Sequence, residues 1–436
     1  MFEYGTVPIA GLSKADQADV LAALESLSGS GTREALELVV HQGQVAVRAK
    51  QFVGLFQLGP LRLQVLPKMY RTSAVGQEAQ RQAAQNLLVM LRYALDLPIH
   101  VGSATALDTS SDWLETLTRL FTEGLLAEWQ RGPVRRYESV EDDLTTIRGR
   151  LRVSDHIRRV GRQHILPVEY DEFMADTGLN RLFRFVVERL LGWSRNEQNI
   201  RNLRLLAAWM TEDGVALPQT VDVPRMLALR LDRLHTRYEF PLLLAQLFIR
   251  DEGLLASHGI HGGPSLFFDM NALFEAFLTG VLLHYRDQIL PAALQGTHIA
   301  PQGAGSSRPL LIRESTGKGA LQMKPDVLLK RGNEFPLILD FKYKMLQSSQ
   351  TRAGVSREDL YQMFTYAQRY RCPEVVLLYP AVPNLDTSSL RYRVPENGGS
   401  PAILRVSTVE LHHDFIRQDV GSVIRDLRQA FTGGKA

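Results

Sequence analysis

The chain has 436 residues, 45% of them hydrophobic and 22% charged, a composition that excludes a disordered chain and allows two or three packed domains. A single cysteine, Cys372, excludes an internal disulfide and a zinc–thiolate cluster, and a net charge of +3 is compatible with a nucleic-acid partner without requiring one. The amino terminus lacks a basic segment followed by an apolar core, and no apolar run reaches ~18 residues. The expectation is therefore a protein of the cytoplasm with no membrane partner.

Between Leu36 and Leu66 the sequence offers four short strands, LELVV, QVAVRAK, FVGLFQL and LRLQVLP, with turn signals at Gln42-Gly43 and Gly59-Pro60. They define a small β-rich amino-terminal unit, residues 1–75. Helices are expected at Gln77–Leu97, with Leu87, Leu88, Leu91 and Leu95 on one face and Pro98 as its stop, and at Ser111–Gln130. Residues 76–255 read as a mainly helical central region. Inside it, IRGRLRVSDHIRRVGRQH (147–164) carries Arg148, Arg150, Arg152, Arg158, Arg159 and Arg162 against one acid, Asp155. Such a run is a solvated face, or a patch whose guanidinium forks hold phosphates or a partner's carboxylates. Further on, Asp176 or Thr177 can cap a helix carrying Asn180, Leu182, Phe183, Val186, Val187 and Leu190. Arg225–Tyr238 reads as helix until Pro241, and the glycine-rich HGIHGGPS (258–265) as a link, which places a domain boundary near 240–265. His261-Gly262-Gly263 is not followed by G-x-S-x-G, which argues against a serine hydrolase. TGKGA at 316–320 lacks the first glycine and the hydroxyl residue of a P-loop.

Residues 256–436 hold the densest signal. The expected order is helix (269–290), strand (308–313), strand (326–330), strand (336–343), helix (356–370) and strand (374–379). Pro336–Lys344 alternates, so Leu337, Leu339, Phe341 and Tyr343 share one face and Ile338, Asp340, Lys342 and Lys344 the other. Arg331-Gly332-Asn333 turns the chain back, which brings Asp326 and Asp340 to one end of a hairpin. Two carboxylates at one point suit a hard cation such as Mg²⁺, and the lysine beside them can orient or deprotonate a water or stabilise charge on a phosphate oxygen. That is equipment for metal-assisted phosphodiester hydrolysis. Glu275, on the apolar stripe with Leu278 and Leu282, needs a partner: the same metal, or an arginine. Ser356 is a fair N-cap for the helix that follows, with Glu358 and Asp359 in its first turn, and Gln362 and Tyr366 share a face at i, i+4. The tail offers LRYRV and AILRVSTVEL as edge strands and a last helix near 413–431.

This order, with Pro325-Asp326 opening one strand, Asp340-Phe341-Lys342 on the next and Q-x-x-x-Y on the following helix, resembles the PD-(D/E)xK nuclease superfamily and its RecB-like branch. LILDFKYK with YQMFTYA is similar to the McrC family, the nuclease subunit of McrBC modification-dependent restriction systems. Asp340, where many superfamily members carry Glu, suits the McrC-like form. The amino-terminal VGLFQLGPLRLQVLPKM, with Val53-Gly54 and Pro67-Lys68, also resembles McrC, as do Arg148-Gly149-Arg150-Leu151 and DEFMADTGLNRLFRFVVERLL. The resemblance implies a mixed α+β protein with an α-β-β-β-α-β nuclease core. It implies Mg²⁺ held by Asp326, Asp340 and Glu275, with Asp326, Asp340, Lys342, Gln362 and Tyr366 in the catalytic constellation. It also implies DNA as substrate and a hexameric McrB-like AAA+ GTPase as partner, its hydrolysis stimulated by this chain. A stand-alone RecB-like repair nuclease and a non-catalytic ring adaptor with a degenerate nuclease fold are the alternatives. An intact Asp326, Asp340, Lys342 set favours an active enzyme.

Overall fold

The alternating stretches of the sequence appear in the computed structural model as five sheets, the largest of which carries the carboxy-terminal motifs. The structure describes residues 1–28, 35–68, 77–95, 113–159, 161–162, 164–219, 222–250, 266–347, 351–382, 385, 390–394, 401–413, 415 and 420–432. No helix among them is long and apolar enough to cross a membrane.

All four strands expected between Leu36 and Leu66 form. Gln44–Ala49 lies between Leu36–His41 and a short strand, Thr6–Pro8, while Phe52–Leu58 and Leu61–Val65 make a hairpin. On its other side Phe52–Leu58 pairs with Leu266–Asp269. The amino-terminal unit and the carboxy-terminal segment therefore share a sheet, and the expected division at 256 does not separate two sets of strands.

In the middle of the chain Gln77–Ala94 and Trp113–Gln130 are helices, and residues 96–112 between them, with Leu97 and Pro98, lie outside the described residues. Thr177 is the cap of Gly178–Trp193, its hydroxyl accepting from the Asn180 amide, while Asp176 pairs with Arg181. The helix expected from Arg225 to Tyr238 does not form. Instead Val223–Leu227 is a short helix capped by Asp222, and Glu239–Arg250 is the next, with Pro241 in its first turn. A proline there gives up an amide that has no intrahelical acceptor, so it begins a helix where the sequence reading had it break one. The glycine-rich link 258–265 lies outside the described residues.

The arginine-rich segment belongs to a separate three-stranded sheet in which Leu166–Met174 is flanked by Arg136–Leu144 and Arg150–Leu151. Nearly every residue of Arg136–Leu144 is exposed. Gly149, of the Arg-Gly-Arg-Leu motif, sits at φ +70°, and a Cβ there would come within 2.4 Å of the Glu169 carbonyl oxygen, so only glycine lets the two backbones meet.

The carboxy-terminal sheet has six strands in the order His298–Pro301, Val327–Lys330, Ile338–Phe341, Glu374–Pro380, Ile403–Val409, Arg391–Arg393. Val327–Lys330 is antiparallel to both of its neighbours, and Glu374–Pro380 joins in parallel, as its helical crossover Arg357–Tyr370 requires. Ile338–Phe341 is buried on both faces, and its alternation separates two cores. Leu337, Leu339, Phe341 and Tyr343 pack in the larger core with helix Met270–His284, whereas Ile338 packs in the smaller one beneath helix Arg357–Tyr370. The strand expected at 308–313 is not part of this sheet: Arg308–Ile312 pairs with Gly319–Met323 in a hairpin of its own. The place it was expected to take belongs to His298–Pro301. That segment is an edge strand of four residues ending in proline, too short to show a period. In the tail, Ile403–Val409 is an interior strand rather than an edge, with Arg391–Arg393 outside it, and the last helix is Gly421–Thr432.

Candidate functional site

The hairpin register pairs Val327 with Leu339 and Leu328 with Ile338, which sets Asp326 opposite Asp340 at the end of the two strands. The Asp326 Oδ2 accepts a 2.6 Å hydrogen bond from the Phe341 amide. Asp340 is 1% exposed, and Lys342 Nζ lies 2.6 Å from its Oδ2, two residues along the same face. Neither Asp340 oxygen receives an aligned hydrogen bond. Carboxylates opposed across an antiparallel pair repel each other, and a buried one without donors is costly, so this hairpin end is built against its own stability.

Glu275 reaches the same region from helix Met270–His284, where it is half-buried. Its partner is neither an arginine nor a second acid but the side-chain amide of Gln302, which donates to Oε1. Gln302 follows the edge strand, adopts φ +52°, and its backbone amide donates to the Asp326 carbonyl at 2.8 Å. It thus ties the helix-borne acid to the strand-borne one. Because its strand was not legible, nothing in the sequence marked it. Ser356 caps helix Arg357–Tyr370 as expected. From this helix the Gln362 amide donates to the Tyr366 hydroxyl at 2.9 Å, and that hydroxyl faces the Lys324 carbonyl at 3.4 Å. Tyr366 is buried, so the pair braces the Lys324-Pro325-Asp326 turn from the side. Asp359 goes beyond its expected place in the helix's first turn: buried, it holds Lys344 at 2.9 Å and accepts from the Tyr379 hydroxyl at 2.9 Å. The shared parity of Lys344 and Asp340 was the only sequence signal for that contact.

Burial and the neighbouring Asp340 and Glu275 push the Asp326 carboxyl up to about 8, against the pull of the Phe341 amide and Lys342. Burial raises Asp340 as well, opposed by Lys342, and raises Glu275, reinforced by Asp340. Burial works against the Lys342 cation, yet Asp340, Asp326 and Asp359 together hold its pKa above the ordinary lysine value. Among the described residues no group of three or more His, Cys, Asp or Glu stands close enough to hold a metal ion together, so Glu275 is not a third ligand in this geometry. Mg²⁺ does not need one, because it keeps several waters and is held by one or two carboxylates. The buried carboxylate of Asp340, paired only with the Lys342 ammonium among the described residues, and Asp326 opposite it fit such an ion.

This electrostatic arrangement fixes a pH dependence. The unfolded chain ionises Asp326 near pH ~4, whereas the folded, metal-free chain keeps it protonated up to about 8. Stability of the metal-free protein therefore falls as pH rises between those values. A bound divalent cation favours the ionised form and offsets the loss. The increase in melting temperature caused by Mg²⁺ should thus be larger at pH ~9 than at pH ~6, by ~2 °C or more. A Mg²⁺ shift that does not change across this range would contradict the arrangement.

The carboxy-terminal part is a mixed α/β unit, a six-stranded mixed sheet packed with helices, with opposed aspartates and a lysine at one strand end. The sequence matches the family described as McrBC 5-methylcytosine restriction system component over residues 47–380, and the chain belongs to that family. Its fold is shared with chains of solved McrBC assemblies. A chain in the refined half-complex from the tetradecameric assembly of Thermococcus gammatolerans McrB AAA+ hexamers with bound McrC superposes with a TM-score of 0.69 at 21% identity, covering 99% of this chain and 98% of that one. A chain from the cryo-EM structure of the Thermococcus gammatolerans McrBC complex is similar over 66% of this chain and 87% of that one, with a TM-score of 0.51 and 24% identity. No curated protein matches.

Proposed function

We propose that this chain is the DNA endonuclease subunit of an McrBC-type restriction complex in the cytoplasm, and that it docks on and activates an AAA+ GTPase hexamer. The observation that carries the nuclease reading is Asp326 opposed to the buried Asp340, with the Lys342 ammonium 2.6 Å from the latter. Asp326 and Asp340 would hold Mg²⁺, with Glu275 as a further acid fixed by Gln302. When bound, the ion supplies a Lewis acid for the phosphate and lowers the pKa of a water. Lys342, 2.6 Å from Asp340 Oδ2, would stabilise negative charge developing on a phosphate oxygen or orient the attacking water. Gln362 and Tyr366 hold the turn that carries Asp326. The test is cleavage of modified DNA by the chain with its AAA+ partner, GTP and Mg²⁺. The reading requires cuts that vanish with chelator and with Lys342→Ala.

The partner reading rests on the three-stranded sheet of residues 136–174. Three of the six arginines at 148–162 are engaged internally: Arg159 with Asp143 at 2.7 Å, Arg152 with Glu141 and Asp155, and Arg148 with Glu172 at 3.6 Å and over the Tyr170 ring. Phosphate tracking needs uncommitted cations. Ile147, Val153, Ile157, Tyr137 and Phe173 are exposed on the same element, which suits a protein surface. McrC is bound to McrB hexamers in the assembly whose fold this chain shares, which supports the same use here. Ile157→Asp with Arg159→Ala should weaken binding to the AAA+ partner roughly tenfold or more and lower stimulated GTP hydrolysis. DNA affinity of the isolated chain should stay within about twofold. A loss of DNA affinity with partner binding intact would reverse the assignment.

A further inference from the structure

The candidate site accounts for Lys342 but not for the residue after it. Beyond Phe341 the chain leaves the regular strand. The Lys342 amide still donates to the Leu378 carbonyl at 2.9 Å, and the Lys344 amide folds back to the Lys342 carbonyl at 2.8 Å. Few backbone bonds therefore fix the lysine, and Tyr343 turns its side chain to the opposite face, where it is 3% exposed. Three contacts hold it there. Its hydroxyl donates to Glu3 Oε2 at 2.9 Å, its ring lies 4.7 Å below the Lys68 ammonium, and the same ring packs 5.6 Å from Phe274, the neighbour of Glu275. Glu3 is fully buried. It also accepts from the Lys68 amide at 2.8 Å, and its Oε1 has no hydrogen-bond partner. A buried carboxylate 340 residues from its phenol partner is an expensive way to fill a core, and apolar packing there would be more stable. The Pro67-Lys68 pair noted in the sequence thus closes on the nuclease strand.

We propose that Glu3 and Lys68 are positioning residues for the nuclease reaction: acting through Tyr343, they seat Lys342 and, by way of Phe274, the helix that carries Glu275. The amino-terminal strand unit completes the site from behind the sheet. A displacement of that unit moves the ammonium relative to Asp340, and a misplacement of about 1 Å is enough to cost up to ~10²-fold in rate. The inference rests on the nuclease reading for its kinetic arm only.

The experiment uses the full-length chain with its AAA+ partner and compares Glu3→Ala, Tyr343→Phe, the double variant and Glu3→Gln. Each of the first two should lower kcat for DNA cleavage roughly tenfold with KM for DNA unchanged. The double variant should be no slower than the slower single one, because both remove the same link. Glu3→Gln keeps an acceptor oxygen and should recover most of the rate. Leu63→Ala, in the separate core of the amino-terminal unit, should cost stability and leave kcat alone. The second arm is hydrogen exchange without DNA. The Lys342 amide should exchange about tenfold faster in Glu3→Ala, while the Val406 amide, bonded to the Leu390 carbonyl across the sheet, does not change. Wild-type kcat and wild-type Lys342 exchange in Tyr343→Phe would overturn the proposal, even if Glu3→Ala fails to fold. So would losses that multiply in the double variant. A wild-type chain that cuts no DNA but shows the exchange effect would sink the nuclease reading and leave the mechanical link standing.

Discussion

Asp340→Ala is expected to lower the rate of Mg²⁺-dependent DNA cleavage by ~10³-fold, a loss in the range produced by removing a centre of transition-state stabilisation. The residue is the most buried charge of the hairpin end, its oxygens lack aligned donors, and the register sets Asp326 against it. Its removal would delete a proposed metal ligand and leave the Lys342 ammonium without its partner. The isosteric Asp340→Asn, which keeps an acceptor oxygen for Lys342, should be equally inactive and, without metal, should melt closer to the wild type than Asp340→Ala does. Partner binding should be unaffected, because the three-stranded sheet of 136–174 is a separate element. Cleavage at the wild-type rate by either variant, measured in Mg²⁺ on the same DNA, would remove Asp340 from the chemistry. A strongly lowered metal-free melting temperature in Asp340→Asn would mark it as structural.

Gly54→Ala is expected to destabilise the fold by about 3 kcal/mol or more, the largest stability loss foreseen for so small a change. Gly54 lies inside strand Phe52–Leu58 at φ +129°, and a Cβ there would stand 2.1 Å from the Leu266 carbonyl oxygen and 2.8 Å from the Phe267 Cα. Both are main-chain atoms, so no rotamer change can make room. The affected pairing is the one that joins the amino-terminal unit to Leu266–Asp269, directly before helix Met270–His284. Denaturant unfolding of purified Gly54→Ala should show the lower midpoint. A midpoint within experimental error of the wild type would mean that the two backbones do not approach as closely as this.

What was legible in the sequence were the places where one residue type and one period coincide. Pro336–Lys344 showed its alternation plainly, and the structure turns that alternation into two cores with Asp340 and Lys342 together on the side away from helix Met270–His284. Ser356 and Thr177 announced their helices because a hydroxyl at an N-cap has a local job that needs no tertiary context. His298–Pro301 was missed because its four residues are too few for a period, and Gln302, the partner of Glu275, was missed with it. Pro241 was misread because proline stops one helix and opens another with the same geometry. The six arginines between 148 and 162 look nearly unopposed in sequence, since the acids that engage Arg148, Arg152 and Arg159, namely Glu172, Glu141 and Asp143, are neighbours only after the strands pair. The Val53-Gly54 and Pro67-Lys68 patterns were visible as letters. Their reasons, a backbone approach and a contact to Tyr343, depend on chain segments more than two hundred residues away.

The place where the metal binds is the most direct thing to measure. Crystals of the wild-type chain soaked in Mn²⁺, which takes the oxygen ligands of Mg²⁺ and scatters anomalously, should show a peak between the carboxylates of Asp326 and Asp340. The same soak of Asp340→Asn should show none. A chain that cuts DNA in Mn²⁺ while its anomalous peak lies elsewhere, or persists in Asp340→Asn, would contradict the assignment of this hairpin as the catalytic centre.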